Sequence, residues 1–386
     1  SDRPHMLMFE PRTEGHHLMW LAILIRAFLP LYRMSIVADL RENKTRQRLA
    51  EYNDPRLEEP AYMAAHDASG QPHGGDMMSA LLRAYRESQP DIVFVNSLDE
   101  FSSKLMRKSV FGRNPLGEIR CGLSGVVHRP RFLEPERSLR NLSKQIGFRK
   151  LDRAHFFKHL FILDDDLVAS EESEQRYRLK LHLIPVPAEG NFNLGKAESR
   201  QELGLAPEIP VLMHYGVGAK RKGLQLLVEA LNGLPASMPY HLIAAGRQPE
   251  GAPWVPELEK LAANGKATVM NRYISPHEEV LCFGASDLIT LPYLAHYGAA
   301  NILTKAAQAV RPVLASDYHL IGRQVESYGL GYTFRDCDAE SLRNQLAELL
   351  PQRSRWEHQF DDALRAHAER CSVEVFQDIF TRVDYR

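Results

Sequence analysis

Two short stretches of this 386-residue chain combine glycine, small residues and cations in a way that suits an anion. In HYGVGAKRKGLQLL, His214 to Leu227, an apolar run gives way to a loop holding Gly216 and Gly218. Lys220, Arg221 and Lys222 follow, ahead of a helical pattern that starts near Gly223. In HYGAANILTK, His296 to Lys305, the residues Gly298, Ala299 and Ala300 let backbone approach a ligand closely, and Asn301 is placed as the N-cap of the next helix. Tyr297 opens that loop, and Lys305 lies one turn into the helix. The N–H groups of a helix start, helped by nearby cations, favour a phosphate or diphosphate. Either loop alone is also compatible with an ordinary turn bearing surface lysines. Two in one half of the chain, both after strands, favour the anion.

The first half offers histidines instead. EGHHLMWL sets Gly15, His16 and His17 at a strand-to-helix junction, and GVVHRPRF sets His128 at the end of another strand, followed by Arg129 and Arg131. These residues could bind a ligand, although a histidine at a strand end also serves structure alone and the arginines also suit a basic face. Between Lys104 and Arg153 there are 13 Lys or Arg against 4 Asp or Glu, which leaves 35 against 45 in the rest of a chain whose net charge is −1. That segment suits either a solvated face or contact with an anionic membrane surface or a negatively charged substrate. LDDDL, Leu163 to Leu167, invites a metal reading through its Asp-x-Asp pattern. Such a site would need a single mixed-sheet domain, and the organisation described next argues against it.

Short apolar runs alternate with helical patterns throughout, which predicts an α/β fold with parallel sheets. LMFEP, MSIVADL, DIVFVNS, GVVHRP, HLFILDDD and LHLIPVP read as strands of a first series; an apolar helix is expected from His17 to Leu29. AEGNFNLGKAESRQE reads as a linker. IPVLMHYG, YHLIAAG, ATVMNRYI and SDLITLPY continue as a second series, and SVEVFQDIFTRVDYR reads as a closing amphipathic helix. The expected domains are 1–187, 188–368 and a C-terminal helix, 369–386, that packs back on the first; SDRPHM at 1–6 reads as a cloning remnant. With 44% hydrophobic and 25% charged residues the chain has the composition of a soluble globular protein. Its four cysteines lack zinc or disulfide spacing, which fits a cytoplasmic setting. The apolar run LMWLAILIRAFL is interrupted by Arg26 and is too short to cross a bilayer.

From about Val211 onward the order and spacing of these motifs resemble the nucleotide-sugar-binding domain of GT-B fold glycosyltransferases, in the large retaining family that contains glycogen synthases, sucrose synthases and bacterial mannosyltransferases. YGVGAKRKGLQLLVEAL resembles that family's glycine-to-lysine phosphate loop, and YGAANILTKAAQAVRPVLASD its E-G-F-x-N-x-L-L-E-A-x-A-x-G-x-P-V-x-A-S-D signature. The resemblance implies two tandem Rossmann-like domains with a cleft between them. It implies a metal-independent, cofactor-free glycosyltransferase that moves a sugar from a nucleotide sugar to a glycan, lipid-linked or small-molecule acceptor, with retention and without nucleic acid as a partner. Lys222 would grip the donor diphosphate, with Arg221 and the backbone from Tyr297 through Asn301 beside it. His128 would lie near the transferred sugar, and Arg247, Arg272 and Tyr273 near the base and sugar. The family's paired glutamates fall on Tyr297 and Lys305, and its arginine after the strand glycine on Val217. A protonated lysine cannot accept from ribose hydroxyls as the second glutamate would. A nucleotide-sugar epimerase of the same fold, or a non-catalytic nucleotide- or sugar-binding protein, are the alternatives.

Overall fold

The computed structural model describes residues 3–14, 16–50, 57–134, 138–192 and 194–386. The chain divides into two compact units: Ser1–Pro185 with Val373–Arg386, and Val186–Ser372. The first contains a parallel seven-stranded sheet of β1 (His5–Glu10), β2 (Arg33–Ala38), β3 (Ala61–Ala64), β4 (Ile92–Val95), β5 (Leu123–Val127), β6 (Phe157–Ile162) and β7 (Lys180–Leu183). Its order is β3-β2-β1-β4-β5-β6-β7. All six residues of β1 and all four of β4 are buried, because helices cover both faces of a parallel sheet and the strands need apolar side chains on each. The order reverses between β1 and β4, so their carboxyl ends border a crevice that no crossover helix fills. Glu10, the last residue of β1, is fully buried at that crevice.

The closing helix is shorter than its sequence pattern, Val373–Thr381, and belongs to the first unit. Gln377 Nε2 donates to the carbonyl of Ile23 at 2.8 Å, and Phe380 stacks on Phe161 with ring centroids 4.3 Å apart. Phe376, Phe380 and Tyr385 are buried, each removing enough apolar surface to stabilise by about 1.5–3 kcal/mol. After the helix, the carbonyl of Asp384 accepts from His159 Nε2 at 3.0 Å. His159 Nε2 therefore carries the proton, and Nδ1 accepts from His182 Nε2 at 3.0 Å.

The second unit has a parallel six-stranded sheet of β8 (Val211–Tyr215), β9 (His241–Ala245), β10 (Ala267–Met270), β11 (Leu288–Leu291), β12 (Val313–Ser316) and β13 (Gly331–Phe334), in the order β10-β9-β8-β11-β12-β13. Here the order reverses between β8 and β11. The stretch expected to be linker is partly structured: its last seven residues form the helix Lys196–Glu202, whose Arg200 is only 3% exposed. Arg200 Nη2 donates to Asp287 at 2.5 Å, Lys196 Nζ to the same carboxylate at 2.8 Å, and Asp287 also accepts from the backbone of Val211 at 2.8 Å. Ion pairing buries a polar-looking segment at the amino ends of β8 and β11. The α/β class and the two parallel sheets agree with the sequence reading.

Burial, then the neighbouring His159 and Lys180, push the His182 imidazole down to about 4. A histidine depressed in the folded state contributes stability that is full above its unfolded value near 6.5 and is lost as pH falls toward 4. His182→Gln should therefore flatten the loss of melting temperature between pH 6.5 and 4.5, an effect of roughly 1–2 kcal/mol after solvent screening. An unchanged slope in pH-dependent thermal melts would contradict it.

Candidate functional site

In the second unit the sequence-predicted residues gather at the carboxyl ends of β8 and β11. After β8 the chain passes Gly216, at φ 119°, whose N–H donates to Ala245, and Gly218, whose N–H donates to Arg247 at 2.7 Å. A tight turn, Lys220–Lys222, then meets the helix Leu224–Asn232 through Gly223. Gly223 has φ 70°, and a Cβ there would lie 1.6 Å from the carbonyl oxygen of Pro292, so only glycine lets the loop rest on the end of β11. Two further bonds lock that contact: Leu294 N donates to Arg221 O at 2.8 Å, and Lys222 Nζ donates to Tyr293 Oη at 2.8 Å. Lys222 Nζ also stands 4.8 Å from the centre of the Tyr293 ring.

Among the described residues no carboxylate pairs with Lys222. Burial, then Arg221, lower its ammonium to about 8. Below it, His214 is buried and pushed down to about 4, again by burial, and its Nε2–H donates to Lys222 O at 3.1 Å. The lysine is thus a rigidly held cation short of counter-charge.

The loop after β11 presents the second set. The backbone of Ala295, at φ 43°, donates to both oxygens of Asp336 at 3.2 and 3.1 Å, and Ser316 Oγ donates to the same carboxylate at 2.9 Å. Tyr297 is 8% exposed, with its ring 4.2 Å from that of His319. Gly298, Ala299 and Ala300 lead into the helix Asn301–Gln308. The expected N-cap is corrected here: Ala300 holds the cap position with extended backbone, and Asn301 is already helical, so its side chain lies past the capping position. Among the described residues no side-chain bond caps this helix; Leu303 N donates to the carbonyl of Ala300 at 3.1 Å.

Lys305 has a partner that the sequence reading missed. Its Nζ pairs with Glu279 Oε1, both side chains being nearly buried, at 15% and 13% exposed. It also lies 5.6 Å from the centre of the Tyr215 ring at the end of β8. Burial first, then the charge and hydrogen bond of Glu279, push the Tyr215 hydroxyl far up. The signal was present in PHEEVLCFGA: Glu278 is taken by the capping box with Ser275 and by Arg272, which leaves the adjacent Glu279 for the interior. That pairing occupies Arg272, and Tyr273 is 80% exposed. Arg247 lines a cavity of about 440 Å³ with Gln248, Asn271 and three prolines, where Gln248 N donates to Asn271 Oδ1 at 2.7 Å and Trp254 Nε1 to Gln248 Oε1 at 3.0 Å.

The first unit holds its own polar cluster at the β1/β4 crevice. Glu10 Oε2 accepts from Asn96 Nδ2 at 2.8 Å and from Ser97 Oγ at 2.7 Å, and Oε1 accepts from Arg12 N at 3.0 Å. His17 Nδ1 lies 3.0 Å from Ser97 Oγ and 3.3 Å from Glu10 Oε2. Since the Ser97 proton is committed to Glu10, Nδ1 must carry hydrogen. His128 is 5.9 Å away, ring to ring, under Trp20 at 5.0 Å. Its N–H and that of Arg129 donate to Asp99 at 2.7 and 2.9 Å, and Nδ1 lies 3.3 Å from the same carboxylate. Burial opposes the Asp99 charge, but the His128 contact, with help from Arg129, outweighs it and holds the carboxyl below its usual range. Glu10, Asn96, Ser97 and Asp99 were not singled out from sequence, though the switch to polar residues after the apolar β4 in FVNSLDE marks three of them. Gly15 lies outside the described residues, and His16 begins the helix His16–Phe28. Asp164, in the Asp-x-Asp stretch, caps the helix Asp165–Glu174 by accepting from Leu167 N.

Residues 195–366 match the model of the family Glycosyl transferases group 1. The second unit is a glycosyl transferases group 1 domain. The chain as a whole has the fold of two-unit GT-B glycosyltransferases: HepE of Anabaena in complex with UDP superposes with a TM-score of 0.71 at 13% identity, covering 98% of each chain. Sucrose-phosphate synthase of Thermosynechococcus elongatus gives 0.67 at 13%, and WaaG, a glycosyltransferase involved in lipopolysaccharide biosynthesis, 0.63 at 14%, both again over 98% of each chain. No curated protein matches by sequence. The group 1 domain thus carries the glycine loop, Lys222, the loop after β11 and the Lys305–Glu279 pair.

Lys305→Glu would set two nearly buried carboxylates side by side. It is expected to cost about 3 kcal/mol or more in urea unfolding, whereas Lys305→Glu with Glu279→Lys should recover most of it. Additive losses in the double variant would show that the pair does not act as one.

Proposed function

We propose that the chain transfers a sugar from a nucleotide diphosphate sugar to an acceptor held by the first unit, with retention and without need of a metal. The observation that carries this is Lys222: a fixed, partly buried cation with no carboxylate partner among the described residues, at the strand-order reversal of a group 1 domain. Charge grows on the diphosphate as the sugar–phosphate bond breaks, and preoriented donors of this kind lower that barrier. The reading assigns Lys222, Arg221 and the N–H groups after Gly298 to the diphosphate, and the Arg247 cavity to the base. It assigns Glu279, oriented by Lys305 and Tyr215, to the ribose hydroxyls, since a carboxylate can accept from both and a lysine from neither. HepE was captured with UDP and with UDP-glucose, so a uridine diphosphate sugar is the first donor to test.

In the first unit, His17, His128, Arg129 and the backbone near His16 are assigned to the acceptor and the transferred sugar. The two histidine–carboxylate pairs supply hydrogen-bonding groups of fixed tautomer for sugar hydroxyls. The acceptor is a glycan, a lipid-linked carrier or a small molecule in the cytoplasm, and an anionic membrane surface is the partner of the basic segment. No helix among the described residues is long and apolar enough to cross a membrane.

Incubation with UDP-, GDP-, ADP- and dTDP-sugars, with and without acceptors, tests the reading. Nucleotide release that requires an acceptor supports transfer; release or isomerisation without one indicates an epimerase, and tight binding without turnover a binding protein. Lys222→Ala should slow turnover by about 10²-fold or more. Because Lys222 loses its charge near pH 8, affinity for the nucleotide diphosphate should fall as pH rises through that value in titration calorimetry, and the fall should vanish in Lys222→Arg. A pH-independent affinity in the wild type would remove Lys222 from the diphosphate site.

A further inference from the structure

The basic segment of the first unit forms a built surface. The helix Leu139–Arg153 lies against the helix Ser102–Phe111, close enough that a Cβ on Gly147 would sit 1.9 Å from the carbonyl oxygen of Met106. Lys150 Nζ ties the pair together further along, donating to Gly112 O at 3.1 Å. With Gly147, Phe148 and Leu151 turned inward, the opposite stripe of the longer helix faces solvent: Leu139, Leu142, Ile146, Arg149 and Arg153, three, four, three and four residues apart. Its first half is apolar and its second half cationic.

Three features separate this stripe from an ordinary solvated face. Leu139 is 86% exposed and Phe111, at the end of the neighbouring helix, 97%, so large apolar side chains stand in water where burial elsewhere in the unit is thorough. The only carboxylate on either helix, Asp152, points inward and accepts from the backbone N–H groups of Arg178 and Leu179 at 3.0 and 2.9 Å. The outward face therefore has no negative side chain from these helices. Among the described residues Lys108, Arg149 and Arg153 form no ion pair. Apolar side chains raised beside uncompensated cations match the boundary between acyl chains and anionic headgroups, where each group finds what water and other proteins do not give together.

We infer that this two-helix surface rests on a bilayer rich in anionic lipid, with Phe111, Leu139, Leu142 and Ile146 entering the headgroup region and Lys108, Arg149, Lys150 and Arg153 meeting its phosphates. This deepens the membrane contact proposed above but is independent of the chemistry at Lys222.

Flotation of the full chain with vesicles of phosphatidylcholine alone, and of phosphatidylcholine mixed with phosphatidylglycerol, tests it. Binding should be confined to the mixed vesicles and fall by about tenfold or more on raising the salt well above physiological strength. Phe111→Ser with Ile146→Ser, and separately Lys108→Glu with Arg149→Glu, should each lower vesicle binding by about tenfold or more while leaving the melting temperature unchanged, because all four side chains are exposed. Phe111→Trp should keep binding and shift its fluorescence to shorter wavelength on mixed vesicles. Failure of the wild type to float, equal binding to neutral vesicles, or variants that float like wild type would overturn the inference. So would self-association that the serine variants abolish, or retention on single-stranded RNA with none on vesicles. Calorimetry with uridine diphosphate keeps the two readings apart: Lys222→Ala should lose nucleotide and keep vesicles, and the surface variants the reverse.

Discussion

The constraint on which the site depends is the close approach of one glycine to one carbonyl. With Gly223 against Pro292, the loop after β8 and the loop after β11 become one body, and every donor at the strand-order reversal inherits its position from that contact. Lys222 is carried along with it. Its ammonium is drawn from water, rests on a tyrosine rather than a carboxylate, and is left with charge to spare. A structure that wanted only stability would have paired or exposed that lysine. On the proposed reading such a cation is preorganised for a diphosphate, and the folding free energy of the surrounding sheet sustains it.

The same region shows how a carboxylate and a lysine can be brought together from two helices. Lys305 looks anomalous in the chain's linear pattern, where a carboxylate would suit a sugar. In space the carboxylate arrives from another helix, and the lysine orients it. Tyr215, at the end of β8, completes a cluster in which each polar group is partnered. Identity at one position matters less here than the sum over a small volume.

What could be read from sequence follows from the range of the interaction concerned. Alternating apolar runs and helical spacing are local, and they delivered the α/β class, both parallel sheets, the glycine-bearing loop after β8 and, to within one residue, the helix that starts at Asn301. Glu10, Asp99 and Glu279 act across 86, 29 and 26 residues, on Asn96, His128 and Lys305, and no local pattern carries such pairings. The linker reading of residues 188–202 misled for the same reason: a polar stretch reads as exposed until the distant Asp287 that pairs with Arg200 is known. The Asn301 cap failed by one residue, the usual uncertainty where a helix begins.

The aromatic cluster around Phe376, Phe380 and Tyr385 has a consequence for the order in which the protein comes into being. These residues finish the core of the first unit, yet the ribosome makes them after the whole of the second. At about 5–20 residues per second, residues 186–372 take on the order of ten to forty seconds to emerge. During that interval the group 1 domain can close around its own cores, while the earlier half waits with Phe28, Phe94 and Phe161 short of their partners. The half made first is therefore completed last, and the nascent chain must be kept from aggregating through that slot until residues 373–386 arrive to fill it.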